Sequence, residues 1–125
     1  MIKLTIDDPD VFRRALSVPW HLNLIRVHMW LAGRYGDFIT SSAYREYKGG
    51  KFSVHNCNPC RGEDWYNRRW AEGYMRDIED DINLHWQYDF ERPELKVAKY
   101  HTVDPMQRGG WHMHMQVHDN TRKTR

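Results

Sequence analysis

Residues 111–118 constrain the fold more than any other segment, because apolar and polar side chains alternate along them. Successive side chains of a β-strand point to opposite faces, so this alternation predicts a strand with one buried face. The apolar side chains, expected on the core face, are Trp111, Met113, Met115 and Val117. The polar side chains, expected on the opposite face, are His112, His114, Gln116 and His118.

The polar face of this strand suggests a metal site. Its side chains lie about 7 Å apart along the strand, so neighbouring imidazoles can serve one site. Neutral imidazole is the commonest ligand of transition metals. A single histidine on such a strand is more simply explained as a residue that faces solvent. Three histidines on one face favour a metal site. A complete site needs further ligands from elsewhere in the chain.

The rest of the pattern predicts a single α+β domain over residues 1–125. Asp8 suits a helix N-cap and Pro9 the first helical position. Helices are expected over residues 9–16, from Pro19 to Gly33 or Gly36, and over residues 65–86, and strands over residues 37–45, 95–102 and 111–118. The helices would pack against a small antiparallel sheet. A turn-rich loop over residues 104–110 and a basic, flexible tail over residues 119–125 complete the prediction.

Composition excludes several classes of protein. No apolar run approaches the roughly 20 residues of a membrane helix, and the first residues turn acidic where a Sec signal would become hydrophobic. We therefore expect no membrane span and synthesis in the cytoplasm. The net charge of +2 offers no long-range attraction to nucleic acid, which is not expected as a partner. Two cysteines cannot build a disulfide framework.

The loop over residues 53–64 supplies the missing donors and offers two metal sites. In the first, His55 and Asp64 join a histidine of the last strand, which leaves a fourth position for water as in catalytic zinc sites. In the second, Cys57 and Cys60 join His112 and His114 in a closed structural site. The two cysteines also fit an incidental pair or a redox disulfide. Asp64 also fits the N-cap of a helix that begins at Trp65.

Three segments together resemble a known family of zinc peptidases. They are Ile39-Thr40-Ser41-Ser42-Ala43-Tyr44-Arg45, then Ser53-Val54-His55 followed by Asp64, and then His112-x-His114. Their order is similar to that of peptidase M15, the D-alanyl-D-alanine carboxypeptidases and endopeptidases of bacterial cell-wall enzymes and phage lysis or tail proteins. The resemblance covers residues 37–65 and 95–118. It implies a fold like that of peptidase M15 and hedgehog domains.

The resemblance also implies roles for individual residues. Zn²⁺ would be held by His55, Asp64 and His114, with His112 as the catalytic base. Arg45 would hold a substrate carbonyl or carboxylate, and Tyr44 and Ser53 would assist in substrate binding. Eight residues separate His55 from Asp64, more than is usual in the family. Glu63 is therefore a rival ligand, and Cys57, Cys60 and His118 are alternative ligands.

The predicted function is hydrolysis of a peptidoglycan stem peptide or a similar small peptide by zinc-activated water, in a phage-associated setting. Two alternatives stay open. The first is a small His/Cys metal-dependent nuclease, suggested by His55, the Cys57–Cys60 pair and the basic tail. The second is a non-catalytic structural or peptidoglycan-binding module stabilised by metal. The histidines without assembled partners are expected to serve packing or the surface: His21, His28, His85 and His101.

Overall fold

The computed structural model describes residues 4–102 and 111–124, and these form an α+β domain with three α-helices and a four-stranded antiparallel sheet. The helices are α1 (Pro9–Ala15), α2 (Leu22–Tyr35) and α3 (Glu72–His85). The strands are β1 (Ile39–Ser42), β2 (Gly62–Tyr66), β3 (Trp86–Gln87), β4 (Ala98–His101), β5 (His112–Gln116) and β6 (Arg122–Lys123). A 3-10 turn spans Val54–Asn56. The predicted loop over residues 104–110 lies outside the described residues.

The main sheet has the strand order β1-β2-β5-β4, so β2 and β5 are its central strands. Every neighbouring pair is antiparallel. In this register Asp64 of β2 lies opposite His114 of β5, and His101 of β4 lies opposite His112. Residues directly opposite on one face have close side chains. The topology thus gathers polar residues from three strands onto one face.

The core lies on the other face of this sheet. Fully buried side chains of the sheet and of two helices share it, among them Met113, Met115, Leu24, Leu31, Ile78 and Ile82. The predicted alternation of β5 is confirmed for residues 112–117, since Met113, Met115 and Val117 are buried and the residues between them are half-buried. The prediction that Trp111 faces the core is wrong. This residue precedes the strand and is 41 % exposed.

The helix predicted from Trp65 is also wrong at its beginning. Gly62–Tyr66 is the central strand β2, and α3 begins only at Glu72. The spacing of four between Tyr66, Trp70 and Tyr74 resembles a helix, but Trp65 is buried opposite Met113 between two neighbouring strands. Asp64 is therefore in mid-strand and caps no helix.

The first two predicted helices exist with different bounds. Asp8 caps α1, since its carboxylate accepts hydrogen bonds from the amides of Asp10 and Val11. The second helix begins at Leu22 rather than Pro19. The reason is a backbone pairing: the carbonyl of Pro19 accepts the amide of Cys60, and the carbonyl of Cys60 accepts the amide of His21. The residues before α2 thus run extended beside the loop that precedes β2.

The tail differs from the predicted flexible segment over residues 119–124. Arg122–Lys123 pairs with Trp86–Gln87 in a two-stranded sheet. Thr121 is buried, and its hydroxyl donates to the carbonyl of Tyr88. Backbone and side-chain hydrogen bonds therefore hold the segment. Within the described ranges, no helix has the length and apolar character needed to cross a bilayer.

Candidate metal centre

The candidate centre begins with a cross-strand pair in the middle of the sheet. Asp64 and His114 face each other on β2 and β5, and His114 Nδ1 lies 2.8 Å from Asp64 Oδ1. Both strands have neighbours on either side, so this pair sits on the most constrained part of the sheet. The side chain of Asp64 is 13 % exposed and that of His114 is 20 % exposed.

The 3-10 turn brings His55 to the same carboxylate. Ser53 Oγ accepts the amide of His55 at 3.2 Å, and Asn56 Oδ1 accepts the amide of Ser53 at 2.9 Å, which forms a capping box. The turn packs directly on Gly62, where an added Cβ would lie 2.6 Å from Val54 Cγ2. In this position His55 Nε2 lies 3.3 Å from Asp64 Oδ1.

The outer nitrogens of both imidazoles contact carbonyl oxygens. His55 Nδ1 lies 2.7 Å from the backbone oxygen of Ala43, which can only accept, so this nitrogen carries the proton. His114 Nε2 lies 3.3 Å from Gln116 Oε1, and the amide nitrogen of Gln116 donates to the carbonyl of Lys96. Metal-binding histidines typically donate their second N–H to such an oxygen, which fixes ring and tautomer.

The inner nitrogens consequently present lone pairs when both rings are neutral. Each is directed at one oxygen of Asp64, which also has only lone pairs to offer. Three such groups in contact require positive charge among them, from protons or from a metal ion. Burial raises the pKa of Asp64, but hydrogen bonds and positive charge from His114 and His55 outweigh it and hold that pKa well below its usual range.

These three residues fit zinc in donor type and spacing. One ligand atom from each of His55, Asp64 and His114 lies within 4.8 Å of the others, and this is the group of such donors found in the described parts of the chain. Zinc bonds of about 2.0–2.1 Å in a tetrahedron separate ligands by about 3.3 Å. The separations of Asp64 Oδ1 from His55 Nε2 and from His114 Nδ1, 3.3 and 2.8 Å, lie near this value. Three protein ligands leave a fourth position, as catalytic sites do.

A second pair of imidazoles lies beside the centre. His112 and His101 stack with ring centroids 5.0 Å apart at an interplanar angle of 26°, and His101 also meets His114 edge-on at 6.0 Å. Burial, followed by the charges of His112, His114 and Lys99, lowers the pKa of His101. His101 was predicted to serve only packing or the surface, and the structure places it on the metal-centre face.

The predicted substrate residues lie around His55. The amide of Arg45 donates to the carbonyl of His55, while the Arg45 side chain is exposed. Tyr44 is half-buried on the same segment. Ser53 caps the turn that carries His55, so its hydroxyl supports the centre through the backbone. Tyr44 and Arg45 thus lie on the segment that contacts His55, and the Ser53 hydroxyl is engaged in a hydrogen bond with the amide of His55.

The alternative ligands lie elsewhere. Glu63 is fully buried on the opposite face of β2, where it contacts His28 Nδ1 at 2.9 Å and accepts the hydroxyl of Thr40 at 2.7 Å. His118 follows β5 and lies beside Tyr88, with Nδ1 3.8 Å from Asp89. Because successive side chains of a strand point to opposite faces, Glu63 points away from the face that carries Asp64. His118 lies beyond Gln116, the last residue of β5, and so lies apart from His114.

The two cysteines are also not part of the His55–Asp64–His114 group. Both thiols are free, and the Cys60 thiol is buried and donates to the carbonyl of Gly62 at 3.2 Å. Burial, helped by the charges of Glu63 and Cys57, raises the pKa of Cys60 to about 11. A thiol of this kind remains protonated near neutral pH, whereas metal ligation and disulfide exchange require the thiolate.

Comparisons of the chain with protein-family models, with curated protein sequences and with solved structures find no match. The resemblance to peptidase M15 therefore stays a prediction. Any functional conclusion must come from the chemistry of the centre itself.

Proposed function

We propose that the protein is a zinc-dependent peptide hydrolase related to peptidase M15, with the corresponding hedgehog-like arrangement of sheet and helices. Its substrate is a peptidoglycan stem peptide or a similar small peptide. The observation that carries this proposal is the pair of imidazoles whose outer nitrogens meet carbonyl oxygens while their inner nitrogens converge on Asp64. Such a set of two neutral ligands and one anion leaves bound zinc with a net positive charge.

The residues of the chain divide the work as follows. Zinc in such a site lowers the pKa of bound water toward about 7 and polarises a carbonyl. His112 is two residues from His114 on the same face, where its ring can accept a proton from the attacking water and return it to the leaving amine. Its stacking on His101 limits the orientations of the ring. Arg45 presents a planar donor fork to a substrate oxygen.

The proposal predicts zinc-dependent cleavage of a defined peptide. Zinc-loaded protein is incubated with an N-acetylated tripeptide that ends in D-Ala-D-Ala and with a longer stem peptide, and products are identified by mass spectrometry. We expect cleavage that stops on chelation and returns with added zinc, because the nucleophile depends on the metal. Stoichiometric zinc without cleavage of any stem peptide would contradict the hydrolase. Cleavage of a nucleic acid offered in parallel would favour the nuclease.

Blocking the thiols distinguishes this proposal from a structural zinc site. We expect protein treated with iodoacetamide to keep its full zinc content and its activity, since the ligands are His55, Asp64 and His114. Cys57 is the more accessible thiol, and Cys60 is buried with a raised pKa, so alkylation should add one group. The readouts are intact mass and zinc by atomic emission. Loss of zinc in step with alkylation would point to a site built on Cys57.

A further inference from the structure

A concave surface with more basic than acidic side chains lies between α1 and the end of β1. Two cavities, of about 290 and 760 Å³, share Arg14, Tyr44 and Arg45 as lining residues, and the larger is also lined by the acidic residues Asp10 and Glu46. The smaller is completed by Val11 of α1 and by residues 41–43 of β1 and its continuation. It therefore joins the N-terminal helix to the sheet edge that supports the candidate ligands.

The wall of the smaller cavity is the segment that holds the metal ligands in place. Ser42 lies opposite Asp64 in the sheet register. The carbonyl of Ala43 accepts the proton of His55 Nδ1, and the amide of Arg45 donates to the carbonyl of His55. The segment that lines this cavity is thus the one that pairs with Asp64 and contacts His55.

The charges of the smaller cavity are both positive. Arg14 and Arg45 line it, and none of the acidic residues in the described part of the chain does. The ion pairs formed within residues 4–102 and 111–124 include neither guanidinium. Arg14 Nε donates to the carbonyl of Asp10 at 3.2 Å, which orients this guanidinium on the last turn of α1. Two guanidinium groups without a carboxylate partner form a suitable site for a carboxylate, which arginine binds through paired hydrogen bonds.

We infer that Arg14 acts with Arg45 to bind a carboxylate of the substrate in this cavity, so that Arg14 determines specificity for carboxylate-bearing peptides. The inference rests on the proposed peptide hydrolase and deepens it by adding Arg14 as a residue that determines specificity. Arg14 lies outside the segments that resemble peptidase M15, and its role follows from the cavity and the charges alone. The carboxylate is a C-terminus or an acidic side chain near the scissile bond.

The test compares peptides that differ in one charge. Zinc-loaded protein is assayed with acetyl-tripeptide ending in D-Ala-D-Ala, with its C-terminal amide, and with an amidated peptide that carries an acidic side chain. We expect Arg14→Gln to raise KM for carboxylate-bearing peptides about tenfold with kcat changed less than twofold, since a charge-assisted hydrogen bond is lost. Arg14→Lys should recover part of this loss, because the charge remains while the fork is gone. Which of the two charged peptides responds identifies the source of the carboxylate.

Arg69→Gln is the charge-matched control, because Arg69 is exposed and lines neither cavity. It should leave KM unchanged. If neither charged peptide has a lower KM than the uncharged amide, or if Arg14→Gln changes KM equally for the charged and the uncharged peptides, the inference is overturned while the hydrolase stands. Calorimetric measurement of the binding of the same peptides tests the inference independently of peptide cleavage. Preference for the carboxylate that Arg14→Gln removes would support the inference even if no peptide is cleaved.

Discussion

Replacing His114 by alanine is expected to abolish both zinc binding and peptide hydrolysis. His114 supplies one of the two inner nitrogens and lies directly opposite Asp64 in the sheet. Loss of even the residues that orient a metal ligand costs about 10–100-fold in metal affinity, so loss of a ligand itself should cost more than about 100-fold. Zinc content after dialysis and kcat/KM on the stem peptide are the two measurements.

Replacing His112 by alanine separates binding from catalysis. We expect zinc content to stay at one per chain while kcat falls by about 10²–10⁴, the usual contribution of a general acid–base group. His118→Ala is the matched control, since this histidine lies past the end of β5 and beside Tyr88. It should keep both zinc and activity. Equal zinc content and equal activity in all three variants and the parent would refute the assignment of the centre.

The second large effect concerns stability and the opposite face of β2. Glu63 is fully buried, accepts the hydroxyl of Thr40 and contacts the buried imidazole of His28. Removing one partner of a buried pair leaves an uncompensated polar group, so Glu63→Ala is expected to lower the free energy of unfolding by about 3–5 kcal/mol. The measurement is equilibrium unfolding in urea.

Two further variants test the cause of that loss. The double variant Glu63→Leu/His28→Leu should recover most of the stability, because a buried pair can often be replaced by apolar groups of similar size. Glu94→Ala, at an exposed carboxylate, should change stability by no more than about 0.5 kcal/mol. A Glu63→Ala protein as stable as the Glu94→Ala protein would show that the buried pair contributes little.

The alternation of residues 112–117 was sufficient to predict strand β5 and its two faces. Strand β2 was not predictable in the same way, because Trp65 lies among aromatic residues that also fit a helical period. The resemblance favours Asp64 as the ligand with Glu63 as its rival, but the local pattern does not distinguish these adjacent carboxylates without the conformation of the segment. Once Gly62–Tyr66 is a strand, alternation places Glu63 toward the core and Asp64 toward His114. The choice of ligand thus depended on tertiary pairing that no local pattern contains.

His101 had a signal that was available from the sequence. Residues 101 and 112 lie at the two ends of one loop between predicted antiparallel strands, so a simple hairpin register places them side by side. The tautomer of His55 had no such signal, because the carbonyl of Ala43 is supplied by a segment twelve residues away. The role of Arg14 could not be predicted from the sequence either, because Arg14 and Arg45 line the same cavity only when α1 packs near β1.

Glu63 and Asp64 contact histidines on opposite faces of β2, so both carboxylates favour the same register of this strand. A slip of one residue would expose Glu63 on the metal-centre face and bury Asp64 against His28 and Thr40. Glu63 and Asp64 would then both lose their histidine partners, so a shifted register would lose stabilising contacts on both faces of the sheet. Changes in the length of the loop between His55 and β2 should therefore leave the pairing of β2 and β5 intact, and should be felt first as displacement of His55.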